Sequence, residues 1–395
     1  MTSKVFVAGV GMIPFVKPGS NPPYHAMGAS AGQLALIDAG LPYADIQQAY
    51  VGYVYGDSTC GQKALYELGM TGIPVINVNN NCSTGSTALF LARQAIASGA
   101  ADCVLALGFE HMSAGALGSV FTDRPSPFDD FDRVTDELVG MPEVPLALRY
   151  FGGAGLSHMQ KYGTKLETLA KIRAKASRHA ANNPLALFRK VVTPEEVLAS
   201  PVMWPGVMTR LMACPPTCGA AAAILVSEKF AKEHGLNTDV YIAAQAMTTD
   251  TNSTFKARDM MQLVGFDMTK AAAQKVYAEA GIAADDVDVV ELHDCFAHNE
   301  LISYEALGLC LEGGAEKFVD DGDNTYGGKV VTNPSGGLLS KGHPLGATGL
   351  AQCYELTHQL RGTAEARQVD GASIALQHNL GLGGACVVTL YRKSV

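Results

Sequence analysis

The stretch QLALIDAG, residues 33–40, returns 241 residues later (274 − 33) as QKVYAEAG, residues 274–281. In both copies the apolar residues recur at helical spacing and a glycine follows the last of them, a pattern typical of an amphipathic helix that ends at that glycine. The same offset relates Asp45-Ile46 to Asp286-Val287. The repetition therefore predicts two copies of one folding unit.

Strands flank the repeated helix in both copies. The apolar run Val5–Met12 resembles Val240–Met247, and we interpret both runs as strands. Later in each copy a turn opens a second helix, Cys82–Gly85 in the first and His343–Gly346 in the second, and a buried strand follows that helix. This alternation of strand and helix predicts an α/β fold made of βαβ units, with largely parallel sheets covered by helices on both faces.

The repetition also places Cys82 and His343 at equivalent positions, each at the start of a helix. A pseudo-twofold packing of the two halves would bring these side chains face to face. A cysteine at a helix N-terminus has its thiolate favoured by the helix dipole and by unpaired backbone amides. The opposing interpretation is a small buried hydrophobe, the commonest fate of a free cysteine.

The middle of the chain has a different character from both copies. Residues 120–236 are rich in proline, and we expect short helical stretches there, such as 166–180. A long segment without regular sheet is usually functional or a cover, so we interpret it as an insertion that lies over the site. The expected organisation is an N-terminal half at 1–119, an inserted loop domain at 120–236 and a C-terminal half at 237–395.

Three further segments carry polar groups that suit catalysis. HDCF at 293–296 follows an apolar strand, where α/β sheets place their ligands, although a satisfied loop histidine is the alternative. GHPLGATG at 342–349 is a glycine-rich loop without the Walker lysine, so His343 suits a base or an oxyanion donor better than a nucleotide loop. QHNLGLGG at 377–384 is a second glycine-rich turn, whose glycines also suit plain tight-turn geometry.

A zinc site is the main rival interpretation for the Cys and His residues. Cys214 and Cys218 lie four positions apart, and His293 and Cys295 two apart. No second Cys-x-x-Cys pair completes a familiar zinc framework, so we predict no metal.

Composition limits the class of protein. The 395 residues are 48% hydrophobic and 17% charged, which is globular composition, and a net charge of −9 argues against a broad nucleic-acid surface. Nine cysteines without a secretory signal favour free thiols in a reducing compartment. No apolar run of about 18 residues is present, so no membrane span is expected. Since no signal peptide or peroxisomal Ser-Lys-Leu tail is seen, we expect a cytoplasmic protein.

In this order, the segments resemble the thiolase superfamily, and closely its sterol carrier protein X branch. The resemblance extends over essentially the whole chain. It implies a duplicated thiolase fold, with two βαβ-rich halves packed as a five-layer α-β-α-β-α sandwich, and a homodimer or dimer of dimers. The segments that carry it are 51–62, Asn77–Ala88, Glu291–Phe296, Asp323–Lys329, Asn333–Gln352 and Gln377–Gly384.

The resemblance also implies roles for individual residues. Cys82 would be the nucleophile, and His343 would activate it and help to hold an oxyanion. Most thiolases carry an Asn-Glu motif where this chain has HDCF, and in this branch Cys295 would supply the second acid/base thiol, with His293 in the oxyanion site.

The last glycine-rich loop departs from the pattern of most thiolases. Their second catalytic cysteine is replaced here by His378, and we expect His378 and Gly381 to support the oxyanion loop. Cys386 lies in the following strand and is not that second cysteine. Related chains usually carry an aspartate where this one has Cys218, and we interpret that aspartate as structural.

The implied activity is thiolytic, reverse Claisen cleavage of 3-oxoacyl-CoA with coenzyme A, in fatty-acid or sterol side-chain degradation. An acyl-Cys82 intermediate would give acetyl-CoA or propionyl-CoA and a shortened acyl-CoA. Coenzyme A would be a co-substrate, with no tightly bound cofactor, and a separate lipid carrier or another β-oxidation protein would be a partner. We leave the residues that contact coenzyme A unassigned, although the insertion offers Arg149, Lys161, Lys165, Lys171, Arg173, Lys175 and Arg178.

Three other functions stay open at this point. A condensing enzyme of the ketoacyl-synthase kind shares the nucleophile but usually pairs it with two histidines. A non-catalytic thiolase-like scaffold would not need to keep the four polar residues together. A steroid side-chain aldolase of the same fold would not need the cysteine.

Overall fold

The computed structural model describes residues 4–113 and 121–394, with twelve strands and fourteen α-helices in those ranges. The strands are β1 Val5–Met12, β2 Gln48–Gly52, β3 Val75–Val78, β4 Cys103–Glu110, β5 Val202–Trp204, β6 Met208–Thr209, β7 Gly219–Ser227, β8 Val240–Thr248, β9 Val289–Glu291, β10 Val331–Thr332, β11 Ile374–Gly381 and β12 Ala385–Lys393. The helices are α1 Tyr24–Ala39, α2 Cys60–Tyr66, α3 Thr84–Ala97, α4 Asp129–Val139, α5 Leu146–Tyr162, α6 Leu166–Ala181, α7 Pro194–Leu198, α8 Glu228–His234, α9 Asn252–Lys256, α10 Met260–Leu263, α11 Phe266–Ala280, α12 Ala297–Ala306, α13 Ala315–Asp320 and α14 Thr348–Arg361.

Ten strands form one sheet in the order β10-β9-β11-β12-β8-β1-β7-β4-β2-β3, and β5 and β6 form a separate ribbon. Read outward from the centre, one half runs β1-β7-β4-β2-β3 and the other β8-β12-β11-β9-β10. Each strand of the first half thus has a counterpart in the second. The duplication that the sequence predicts is confirmed.

The two halves join through an antiparallel pairing of β1 with β8. Phe6 lies opposite Tyr241, and their rings meet edge to face with centroids 6.1 Å apart. These two residues hold the same position in the two copies of the repeated strand. An antiparallel pair between equivalent residues places the pseudo-twofold axis between them, which explains why the halves are related by rotation.

The expectation of largely parallel sheets is correct only for the outer strands. In each half the three outer strands pair in parallel, whereas β1, β7, β8 and β12 pair antiparallel with their neighbours. β12 follows β11 through a tight hairpin at Gly383 and Gly384, both with positive φ. A hairpin reverses the strand direction, so the sheet is mixed.

The helices form the layers that the resemblance implies. α3 and α14 lie between the two half-sheets and pack against each other, while α1 packs on the outer side of β1 and β7, and α11 on the outer side of β8 and β12. At the α3–α14 contact, a Cβ at Gly85 would lie 2.7 Å from the Gly346 carbonyl oxygen, and one at Gly349 would lie 2.3 Å from the Ser86 nitrogen. Glycines therefore let the N-termini of the two central helices meet.

The segment expected as an insertion contains one strand of the main sheet. Helices α5 and α6 pack over the second half, against α10, α12 and α13. β7, however, lies between β1 and β4 and is fully buried. Its sequence GAAAAILVS lacks the alternation of a half-exposed strand because both of its faces are covered. We therefore propose that the cover ends near residue 213 and that β7 and α8 belong to the first half.

Candidate active site

Cys82, His293 and His343 converge between the two halves. The Cys82 sulfur and one ring nitrogen of each histidine lie within 4.8 Å of one another. Cys82 lies two residues before α3, His293 two residues after β9, and His343 in the loop before α14. The two imidazole centroids are 5.0 Å apart and their planes are nearly perpendicular at 84°. The structure thus brings together three of the four predicted catalytic residues, and the close approach of α3 and α14 is the reason.

Cys82 is held as a thiol by its surroundings. Burial raises its pKa to about 12, and the negative charge of Glu110 adds to the effect, while its own backbone N–H lowers the pKa by a smaller amount. The sequence predicted that the N-terminus of α3 would favour the thiolate. Loss of hydration and the helix end act on the Cys82 thiol in opposite directions. Cys82 therefore needs a base when it reacts.

His343 has one ring nitrogen free to act as that base. Its Nδ1 lies 2.7 Å from Thr348 Oγ1, and the Thr348 hydroxyl donates to the Pro344 carbonyl oxygen at 3.0 Å. Thr348 must then accept the Nδ1 proton, which leaves a lone pair on Nε2. Nε2 is buried and has no hydrogen-bond partner among the described residues. Burial and the charge of Lys341 lower the His343 pKa to about 3, so the ring is neutral.

His293 adopts the opposite tautomer. The Asn379 side-chain nitrogen lies 3.0 Å from His293 Nδ1 and 3.0 Å from the Cys82 carbonyl oxygen, while its oxygen accepts a bond from Ser86 Oγ at 2.8 Å. Because Asn379 donates to Nδ1, the proton of neutral His293 lies on Nε2. Burial and the neighbouring His343 and His378 lower the His293 pKa well below its usual value. His293 is therefore a neutral N–H donor beside a neutral base.

Cys295, like Cys82, is kept protonated by its surroundings. It is buried, and its pKa is raised well above the usual value by burial and by the nearby charges of Cys214, Cys82 and Asp294. The preceding residue, Asp294, anchors the turn that carries Cys295. Asp294 accepts bonds from the Leu338 and Leu339 backbone nitrogens at 2.7 and 3.3 Å, which fixes the HDCF turn against the segment that leads to His343.

A third thiol, Cys214, borders the site. Its backbone N–H donates to the Cys295 carbonyl oxygen at 2.9 Å, and Ala213 forms an antiparallel bridge with Phe296. Three residues later, Thr217 Oγ1 accepts a bond from the His343 backbone nitrogen at 3.1 Å. The short segment 213–217 thus forms one wall of the site and connects the HDCF turn with the His343 loop. In the sequence, the spacing of Cys214 from Cys218 suggested only a zinc ligand, and no local pattern indicated this position beside Cys295.

His378 and Gly381 contact the site from behind. His378 Nε2 lies 3.1 Å from Thr269 Oγ1, and its Nδ1 accepts a weak bond from the His293 backbone nitrogen at 3.5 Å. Its ring is therefore engaged with α11 and supports the His293 turn. A Cβ at Gly381 would lie 2.2 Å from the Asn80 carbonyl oxygen, so only glycine lets β11 approach the turn that carries Cys82.

The zinc alternative finds little support in this geometry. Within the described ranges, the group with suitable ligand distances consists of Cys82, His293 and His343. The Cys218 thiol instead donates to the Met112 carbonyl oxygen at 3.4 Å. Among the described residues, Cys214, Cys218 and Cys295 are not part of this group, so the thiols that suggested a zinc framework in the sequence do not meet in one.

Several basic residues of the cover have structural partners, either inside the cover or in the body of the protein. Arg149 pairs with Asp132 and Asp136, Arg173 donates to Ser340, and buried Lys175 pairs with Glu300. Because these basic side chains already have partners, fewer basic residues of the cover remain to bind the phosphates of a nucleotide.

Comparison with known proteins gives a consistent result along the whole chain. A family model described as "Thiolase, N-terminal domain" matches residues 5–197, and one described as "Thiolase C-terminal domain-like" matches 247–391. Sterol carrier protein 2 of Oryctolagus cuniculus is 58% identical over 393 residues, which cover 98% of this chain and 72% of that protein.

Solved structures show a similar fold. An Ltp2-ChsH2(DUF35) aldolase matches with a TM-score of 0.83 at 21% identity, covering 99% of this chain and 98% of the other. Human mitochondrial 3-ketoacyl-CoA thiolase in complex with CoA matches with a TM-score of 0.75 at 19% identity, covering 100% and 99%. At these identities the likeness concerns the fold alone. No described helix is both long enough and apolar enough to cross a membrane.

Proposed function

This chain belongs to the thiolase family, and on that premise we propose that it cleaves 3-oxoacyl-CoA with coenzyme A through an acyl-enzyme on Cys82. The resemblance to the sterol carrier protein X branch is confirmed by 58% identity to a sterol carrier protein 2, and the enzyme is an acyltransferase. The observation that carries the proposal is the free, buried Nε2 of His343 in the same cluster as the Cys82 thiol.

In the first step His343 Nε2 takes the Cys82 proton as the sulfur attacks C3 of the substrate. The raised thiol pKa and the lowered histidine pKa disfavour an ion pair in the resting enzyme. Proton transfer therefore accompanies the attack, which is general base catalysis. A C–S bond forms, the C2–C3 bond then breaks, and its electron pair stays on C2 as the enolate of the shorter CoA ester.

His293 and Cys295 are assigned to the enolate. The Nε2–H of His293 donates to the thioester oxygen where negative charge develops, and one such donor is typically worth about 3 kcal/mol. Protonated His343 can donate to the same oxygen. The Cys295 thiol then protonates C2, which releases acetyl-CoA, or propionyl-CoA from a 2-methyl substrate, and leaves Cys295 as a thiolate.

The second half-reaction returns each proton. The Cys295 thiolate takes the proton of incoming coenzyme A, whose sulfur attacks the acyl-Cys82 thioester. Cys82 leaves and recovers its proton from His343. The engagement of the His378 ring with Thr269 supports assigning this second acid/base role to Cys295.

The test is cleavage of defined substrates. Purified protein is mixed with coenzyme A and 3-oxoacyl-CoA of short, long and 2-methyl-branched chains, beside Cys82→Ala, and products are followed by mass spectrometry. Cys310→Ala, another partly exposed cysteine outside the site, is the matched control and should keep activity. Cleavage that survives in Cys82→Ala would favour the steroid side-chain aldolase, and no cleavage by folded wild type would favour the scaffold.

We also propose a homodimer or dimer of dimers and a role in fatty-acid or sterol side-chain degradation, with a separate lipid carrier or other β-oxidation protein as partner. β3 supports the assembly, because it is the half-exposed last strand of the sheet and ends four residues before Cys82. Sedimentation analysis tests the assembly, and the preferred acyl chain in the cleavage assay tests the pathway.

A further inference from the structure

Glu110, the last residue of β4, carries a fully buried carboxyl group at the junction of the two halves. Its Oε1 accepts a bond from the Tyr55 backbone nitrogen at 2.9 Å, and its Oε2 accepts bonds from Val54 at 3.1 Å and Gly346 at 2.9 Å. Among the described residues it has no basic partner. Other buried glutamates do have one, and they are Glu291, Glu300, Glu305 and Glu355.

The three backbone donors belong to the two loops that meet at the active site. Val54 and Tyr55 follow β2 in the first half, whereas Gly346 lies three residues after His343 in the second. Glu110 thus ties the His343 loop to the half that supplies Cys82. The bond spans 236 residues of sequence, so only the folded state can form it.

The backbone segments around the hydrogen bond between Gly346 and Glu110 are in close contact. A Cβ at Gly346 would lie 2.3 Å from the Phe109 carbonyl oxygen, and one at Gly108 would lie 2.1 Å from the Gly346 carbonyl oxygen. A Cβ at Gly52 would lie 2.6 Å from Thr84 Cγ2, two residues after Cys82. A displacement of the His343 loop would therefore be transmitted to the turn that carries the nucleophile.

Glu110 also acts on the nucleophile through its charge. The ionisable groups that respond to it are Cys82, Tyr55 and Cys218, and it raises the pKa of each. The side chain of the neighbouring His111 is exposed. A negative charge at this place opposes a second negative charge on the Cys82 sulfur.

We propose that Glu110 is a positioning residue of the thiolase reaction, which fixes the His343 loop against the Cys82 turn and places a negative charge near the Cys82 sulfur. This proposal rests on the proposed function. Glu110 touches neither the substrate nor the reacting atoms. It acts through hydrogen bonds to the backbone of the His343 loop and through its negative charge near the Cys82 turn.

Two variants separate the two parts of the role. Glu110→Gln keeps the length but loses the charge and one acceptor, because an amide nitrogen only donates. Glu110→Asp keeps the charge but loses the reach. We expect kcat to fall by about 10- to 100-fold in both, as for a misplaced catalytic group, with a smaller change in KM.

The rate of Cys82 alkylation distinguishes this role from a merely structural one. A structural residue would not make labelling faster in Glu110→Gln and leave it unchanged in Glu110→Asp. Iodoacetamide labelling at pH 8 is followed on the tryptic peptide 64–93, which contains Cys82 and no other cysteine. Removing the charge in Glu110→Gln should raise the labelling rate by about three- to tenfold, whereas Glu110→Asp should not raise it. Glu355→Gln, which breaks the buried pair with Arg367, controls for general loss of stability and should lower Tm without faster labelling.

A folded Glu110→Gln whose kcat stays within about twofold of wild type, or whose Cys82 labels no faster, would overturn the proposal. If the variant does not fold, hydrogen exchange in the wild type decides. The backbone amides of Val54, Tyr55 and Gly346 should be protected from exchange. Exchange as fast as in exposed turns such as that at Gly371 would show that their hydrogen bonds to Glu110 do not hold the loops. Failure of wild-type thiolysis with the labelling difference intact would count against the proposed function and leave the charge effect standing.

Discussion

Asn379 donates its side-chain amide to Nδ1 of His293 across 3.0 Å, and this bond decides which nitrogen of His293 carries the proton. The same amide nitrogen reaches the Cys82 carbonyl oxygen. One side chain thereby fixes the tautomer of His293, the proposed oxyanion donor, and the backbone position of Cys82, the proposed nucleophile.

Replacing Asn379 by aspartate should reverse the tautomer. A carboxylate accepts where the amide donates, so Nδ1 would take the proton and Nε2 would no longer donate to an oxyanion. Loss of one such donor costs about 10²- to 10³-fold in kcat. Steady-state thiolysis measures the effect, with the exposed Asn237→Asp as control, and an Asn379→Asp enzyme of wild-type kcat would contradict the assignment of His293.

Replacing Cys295 by alanine should separate the two half-reactions. Without the thiol, C2 of the leaving enolate has no positioned acid, and loss of general acid–base catalysis costs about 10²- to 10⁴-fold. Exchange of the C2 protons of acetyl-CoA in D2O, followed by NMR, reports this step directly. Cys214→Ala is the control, since it removes a neighbouring thiol. An equal loss of proton exchange in both variants would show that the two thiols share the role.

The stability of the protein should depend on pH through Glu110. Burial raises its pKa from 4.5 to about 7. Between these values the native carboxyl holds a proton that the unfolded chain has lost, so its contribution is complete below pH 4.5 and disappears as pH rises to about 7. The difference corresponds to about 3 kcal/mol.

Denaturant unfolding of wild type and Glu110→Gln at several values from pH 4.5 to 8 measures this contribution. Over that window the wild type should lose about 3 kcal/mol more than the variant. Asp294, whose pKa burial raises to about 8, is present in both proteins, so its effect cancels in the difference. Parallel profiles would mean that Glu110 ionises normally.

Lys175→Met should destabilise the fold strongly. Lys175 and Glu300 are both buried, and the lysine also donates to Thr332. Removing one partner of a buried pair leaves an uncompensated charge and costs about 3–5 kcal/mol. Lys171→Met breaks the exposed pair with Asp320 and should cost less than about 1 kcal/mol. Urea unfolding compares them, and similar losses would refute the distinction.

Local sequence patterns were enough to predict the duplication, the α/β class and the equivalent positions of Cys82 and His343. These features follow from local patterns, namely apolar periodicity, helix-ending glycines and the order of the loops. Resemblance to thiolases supplied the roles of His293 and Cys295, which spacing alone left open.

Which polar groups lie within hydrogen-bond distance of one another can be seen only in the folded chain. The place of β7 between β1 and β4 has no signal in the sequence, because a strand buried on both faces shows no alternation. The mixed strand directions depend on where each strand returns to the sheet. The tautomers of His293 and His343 require the positions of Asn379 and Thr348. Glu110 meets Gly346, and Asn379 meets Cys82, across 236 and 297 residues. A local pattern carries no signal for such pairs, because folding rather than chain order brings them within hydrogen-bond distance.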